Sequence, residues 1–398
     1  MKSSIMNFLR ISALIACLTG FCSCSNSTNN NTPIIDVKSV IGKGAIHNTS
    51  EFIKDIKYIP LETGPNSMVG DIKKIVVENN NIYISDNQAK ISVFDLEGRY
   101  LNTLNKRGRG PEEYTTIADY AVNTAGNIFI LLSQGEVIEY NGDMEFVRKL
   151  GFESEGEDMF HWDIMLLKDG IFASNASNFD TNEYQTLTIY NDTLKALASY
   201  KTEIVHLDFA SITTMPYRCY IYNGEVGLHR RVSDTIFNVN IDTDYSKSVR
   251  YILDCGAYLL TEETVRGGKE EESNSISLTN LMETDNYLFM TFNFYEMAPE
   301  SFDITSYMKN TSVYAVYDKK KGVCVLLNQP LPQTLGLKDD ITGGSVFWPK
   351  TTTQDQKLVS WDNAVTLISL ADEGKIDKSI VANLKEDDNP VIVIATPK

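Results

Sequence analysis

Residues Asn81–Leu104 read NIYISDNQAKISVFDLEGRYLNTL, and Asn127–Leu150 read NIFILLSQGEVIEYNGDMEFVRKL. At an offset of 46, five of 24 columns are identical. Tyr83/Phe129, Ile91/Val137, Phe94/Tyr140, Asp95/Asn141, Tyr100/Phe146 and Leu101/Val147 keep shape or polarity. Each copy is a β-rich run, a polar turn, a second run, another polar turn and a third run. A repeat made of several short strands predicts propeller blades. Looser copies pair Ile171–Ala173 with Leu187–Tyr190, Glu225–Leu228 with Ile236–Val239, Tyr287–Met290 with Val313–Tyr317, and Lys357–Trp361 with Ala364–Leu367. From Ile82 through Ile128, Ile171, Val226, Leu288 and Leu358 the spacings are 46, 43, 55, 62 and 70, which makes six units with growing insertions.

Glycine turns such as Leu96-Glu97-Gly98, Lys168-Asp169-Gly170 and Tyr222-Asn223-Gly224 separate the apolar runs, as hairpins require. Asp372–Lys385 places Ile376, Ile380, Val381 and Leu384 at roughly helical spacing and predicts one short C-terminal helix. Pro390–Ile394 then reads as a terminal strand. Ile34–Val40 or Ile56–Leu61 is expected to pair with it, because joining the two chain ends in one blade removes an exposed sheet edge. The expected architecture is one all-β domain over residues 34–398, a six-bladed β-propeller closed by its N- and C-terminal strands.

The N-terminus reads as a lipoprotein signal over residues 1–24. Lys2 supplies a minimal basic region, Ile11–Phe21 is too short to span a bilayer, and Cys17, Cys22 and Cys24 crowd its end. Cys24 is the expected acylation site because it follows the complete apolar run, with Cys17 the alternative. Residues 25–33 (SNSTNNNTP) have nothing apolar to bury and read as a flexible tether. Without Lys2 and Arg10 the balance is 34 − 53 = −19, which argues against nucleic-acid binding, since phosphate contacts need clustered cations. Cys219, Cys255 and Cys324 form neither a disulfide framework nor a zinc motif.

The run Lys106–Tyr114, KRGRGPEEY, joins two units with two glycines and a proline. It reads either as a specialised inter-blade connection or as a loop presenting Arg107, Arg109 and Glu112 to the central channel, with Tyr114 pinning it. Gly343–Lys350 (GGSVFWPK) offers Trp348 and Lys350 either as an aromatic platform with a cation or as an inter-blade plug. His161, Trp162, Tyr217 and Arg218 fall where inner strands should begin. The segments IKYIPLET and KRGRGPEEY, with VSDTIF at 232–237, GGSVFWPK and DNPVIVI at 388–394, resemble the six-bladed β-propeller lipoproteins of Bacteroidetes, whose repeats are similar to NHL and TolB-like repeats. That resemblance implies an exported, lipid-anchored protein and carries no catalytic residues; the tract after Cys24 lacks the acidic residues associated with surface export, so the outer membrane facing the periplasm is expected, with surface exposure the alternative.

Two function classes follow. The first is a binding or scaffold module for a peptide, glycan or envelope protein, with no cofactor, whose channel mouth gathers Arg107, Arg109, Glu112, Tyr114, His161, Trp162, Tyr217, Arg218, Trp348 and Lys350. The second is a lactonase- or lyase-like hydrolase holding a divalent metal in the channel, its ligands supplied one per blade and therefore leaving no local motif. Fold alone does not choose between them.

Overall fold

The repeated stretch folds as strands two to four of two neighbouring sheets. In blade 1, Asn81–Asp86, Ile91–Asp95 and Tyr100–Leu104 follow an inner strand, Ile72–Glu78. Blade 2 repeats this with Ile128–Leu131, Glu136–Tyr140 and Phe146–Gly151 behind Asp119–Val122. Blade 3 runs Met165–Lys168, Ile171–Asn178, Tyr184–Asn191 and Ala196–Glu203, and blade 4 runs Arg218–Tyr222, Glu225–His229, Thr235–Val239 and Lys247–Asp254. Blade 5 is Ser277–Glu283, Tyr287–Asn293, Ser312–Asp318 and Val323–Leu326. Six such blades stand in a ring, the propeller expected from the repeat. The structure is a computed structural model and describes residues 32–398 except 133–134, 154–158, 179–183, 204, 207–211, 214–216, 268–273, 295–311 and 333. The signal, Cys17, Cys24 and residues 25–31 of the tether lie outside the described residues.

Blade stacking explains the sequence pattern. Strands two and three are covered on both faces by neighbouring blades, so Asn81–Asp86, Ile91–Asp95 and Ile128–Leu131 are almost continuously buried. The fourth strand has a rim side, and Phe146–Gly151 alternates half-buried and exposed residues. Its start carries a bulge in blades 1 to 3, at Leu101, Val147 and Leu197, each of which is exposed. A bulge twists the edge away from straight pairing and so discourages edge-to-edge association.

Closure uses both chain ends. Blade 6 is Thr351–Thr352, Leu358–Asp362, Val391–Pro397 and, outermost, the N-terminal strand Ile53–Pro60, in register with Val391–Pro397. The other expected partner, Ile34–Val40, goes elsewhere: Ile34–Asp36 lies parallel to Lys247–Asp254 as a fifth strand of blade 4. Between these two strands, Ala45 bridges Leu327 beside blade 5 and Asn48 bridges Lys338, so one N-terminal run ties blades 4, 5 and 6. Asn389 fastens the seam. Its side chain accepts from Val69 N at 2.9 Å and donates to Glu62 O and Ser67 O, both at 2.8 Å.

Two expectations near the C-terminus are corrected. Ala364–Leu367 is not the third strand of unit six but the start of the helix Ala364–Asp372. Asp372–Lys385 is not a helix: it starts on the last residue of that helix and leads away from it. Gly374, at φ +70°, ends the helix: its N–H donates to Ala371 O and that of Lys375 to Leu370 O, the paired bonds of a left-handed cap. Ile376, Ile380, Val381 and Leu384 then fold back onto Leu367 and Ala371, so their spacing records packing against a helix, with one 3-10 turn at Lys378–Val381.

Candidate functional site

All six inner strands contribute to one axial cavity of about 270 Å³, lined by residues 74–78, 120–122, 164–166, 219–221, 280–282 and 350–354. The inner strands run in the same sense along the axis, so their starts define an entry end and their first hairpins an exit end. At the entry end Lys74 Nζ donates to both carboxylate oxygens of Asp119, at 2.8 and 3.0 Å, and to Tyr120 O at 2.8 Å. Asp119 also accepts from Ile164 N at 3.0 Å, so a neutral ion pair joins blades 1, 2 and 3. On neighbouring blade 6, Lys350 Nζ donates to Trp361 O at 3.0 Å and sits 4.0 Å from the centre of the Trp361 ring. Lys350 is exposed to the channel. Loss of bulk hydration there draws its pKa below the usual lysine range, against the attraction of Asp362.

At the exit end the cavity shares Val77, Glu78, Thr353 and Gln354 with a groove of about 590 Å³ between blades 6 and 1. Burial raises the Glu78 carboxyl above its usual pKa, and nearby Asp169 and Asp355 push the same way. The blade 6 hairpin also reaches over the axis, where Gln356 donates to Asn223 of blade 4. Channel and groove thus form one continuous passage, with the Lys74–Asp119 pair and Lys350 at the entry and Glu78 at the exit.

The residues expected at the mouth disperse. In the KRGRGPEEY loop, Tyr114 is buried and donates to Leu104 O at 3.1 Å, while Tyr140 donates to Glu112 O at 2.6 Å. A Cβ on Gly108 would collide with the Glu113 carboxylate, so glycine lets the loop close on itself. Arg107, Arg109 and Glu112 project into solvent on this loop and do not line the cavity. His161 is buried against Phe152, rings 3.7 Å apart, with Nδ1 2.8 Å from Ser174 Oγ; burial lowers its pKa to about 4. Trp162 is half-buried beside it, its N–H donating to Asn175 O at 3.2 Å.

Tyr217 is buried and accepts from Lys247 Nζ at 3.0 Å, while Arg218 is exposed at the start of the blade 4 inner strand. Trp348 packs between blades 5 and 6, stacked on Tyr314 at 4.2 Å with its Nε1 donating to Thr291 Oγ1 at 3.3 Å, which is the plug and not the platform. Of the paired glycines beside it, Gly344 serves Tyr58, whose hydroxyl fills the space a Cβ there would need. Of the ten, Lys350 alone lines the channel. Lys74, Glu78, Tyr120, Asn280 and Gln354 line it without standing out in the sequence. Their only signal is position on a first strand, and the six first strands share no period. Among the described residues no three His, Cys, Asp or Glu side chains are grouped to hold a metal ion.

The fold recurs in solved structures. A Bacteroides fragilis protein described as exported superposes with a TM-score of 0.66 at 18% identity, over 92% of this chain and 99% of that one. A member of the DUF4221 family from Bacteroides vulgatus gives 0.49 at 12% identity, over 87% and 97%. At 18% identity the likeness to the Bacteroides fragilis protein speaks for the fold alone. No helix among the described residues is long and apolar enough to cross a membrane. A search of curated protein sequences finds no match. The model of a domain of unknown function, DUF4934, matches residues 32–396, and the chain belongs to that family.

Proposed function

We propose that this protein is a binding or scaffold module of the bacterial cell envelope, held by lipid on Cys24 at the outer membrane and facing the periplasm, with its axial passage as the ligand site. One observation carries the reading: a cavity fed by all six blades continues into an open groove, so residues distant in sequence converge on solvent-accessible space. The repeats are read as NHL-like. The acidic balance keeps an exported domain soluble.

The test is ligand-dependent stabilisation of the full-length protein, comparing wild type with Thr352→Trp, which fills the channel. Envelope-derived peptides, glycans and small organic acids are screened by thermal unfolding, since a ligand that binds only the folded state raises Tm by mass action. At least one stabilising ligand is expected, with its effect removed by Thr352→Trp. Equal stabilisation of both proteins would move the site elsewhere on the surface.

A further inference from the structure

We infer that the entry half of the channel takes a small carboxylate with an apolar body, its charged end meeting Lys350; this deepens the reading of the channel as a ligand site and rests on it. The channel lining holds two lysines, and their states differ. Lys74 is neutralised by both oxygens of Asp119. Lys350 has no ion pair among the described residues, and Trp361 O is its hydrogen-bond acceptor. Asp362 lies nearby without forming an ion pair to it, its carboxylate accepting the Ser345 hydroxyl at 2.5 Å.

The ammonium is also held in place. It rests 4.0 Å from the Trp361 ring centre, and an aromatic face fixes a cation without cancelling its charge. Two further N–H donors remain for an incoming anion, since an ammonium has three. The channel lining also includes the half-buried apolar side chains of Met165 and Ile221. A ligand charged at one end and apolar along its body matches that lining.

Size and charge narrow the class. The whole channel cavity is about 270 Å³, so its entry half takes a small organic acid and nothing larger. A dianionic phosphate would want a second free cation or a planar guanidinium fork, and Lys74 is already spent on Asp119. An amine would face Lys350 with like charge.

Hexanoate, hexylamine and hexanamide, titrated calorimetrically into the full-length protein in detergent, test the assignment. Hexanoate is expected to bind wild type, to weaken at least about tenfold in Lys350→Met and to stay within about threefold in Lys350→Arg, which keeps the charge. Hexylamine is expected not to bind. Thermal unfolding of both variants checks that they fold, and the arginine variant keeps the comparison decisive if the methionine variant does not. Hexanoate binding that is unchanged in Lys350→Met, or absent from wild type, overturns the inference. If hexanoate fails while Thr352→Trp still abolishes stabilisation by another ligand, the channel reading survives and the carboxylate assignment alone falls.

Discussion

Asp95, Asn141 and Asn191 hold the same post in three blades. Each ends a third strand, and its side-chain oxygen accepts the backbone N–H groups two and four residues on: Glu97 and Arg99, Asp143 and Glu145, Thr193 and Lys195. The residue between is left-handed in every copy, Gly98, Met144 and Leu194. Local side-chain capping of this kind is why the repeat keeps Asp or Asn in that column. Asn191→Ala strips two backbone donors of their acceptor and is expected to cost about 1–2 kcal/mol, read as a lower urea midpoint at constant slope.

A second residue-scale effect concerns acid. Burial, with Arg218 nearby, lowers the His229 pKa to about 3, and burial alone takes His161 to about 4, against about 6.5 in an unfolded chain. Between those values the unfolded state binds more protons, so stability is full above about pH 6.5 and is lost as pH falls towards 4 and below. His229 Nδ1 has no hydrogen-bond partner among the described residues, so His229→Leu sacrifices no bond seen there. It is expected to be near neutral at pH 7 and to flatten the loss of stability between pH 6.5 and 4, measured by urea unfolding across that range; an unchanged slope would count against the assignment.

At the scale of elements, the seam of blade 6 carries the most structural consequence. Ile59 is buried on the outermost strand opposite Ile392 and packs into the core between blades 6 and 1. Ile59→Asp buries an unpaired charge at the closure and is expected to cost at least about 3 kcal/mol, seen as a large fall in Tm. Blades 1 and 2 are legible in the sequence because their hairpins are short and their middle strands, covered on both faces, become unbroken apolar runs. Blade 6 is legible only in part. Its second and fourth strands stand out, but residues 363–390 intervene before the third, and the helix terminator at Gly374 sits inside a run whose spacing mimics a helix interior. The channel is nearly invisible in sequence for a related reason. An inner strand borders the axis at one end and neighbouring blades on its faces, so IKKIVVE, DYAV and RCYIY carry neither alternation nor a shared motif. Lys350 stands out only because it adjoins the Phe-Trp-Pro run.

For the whole molecule, the N-terminal run that joins blades 4, 5 and 6 is also the run that follows the proposed lipid anchor. Cys24→Ala is expected to shift the protein from the membrane to the soluble fraction without altering its Tm, because the change lies outside the folded unit 32–398. Unchanged acylation in that variant would transfer the assignment to Cys17. The axial passage itself is tested most directly by native mass spectrometry of the full-length protein, purified from its own membranes in non-denaturing detergent, wild type beside Thr352→Trp. A small molecule retained by wild type and lost from the channel-filled variant is the expected result; the same molecule on both would contradict an axial ligand site.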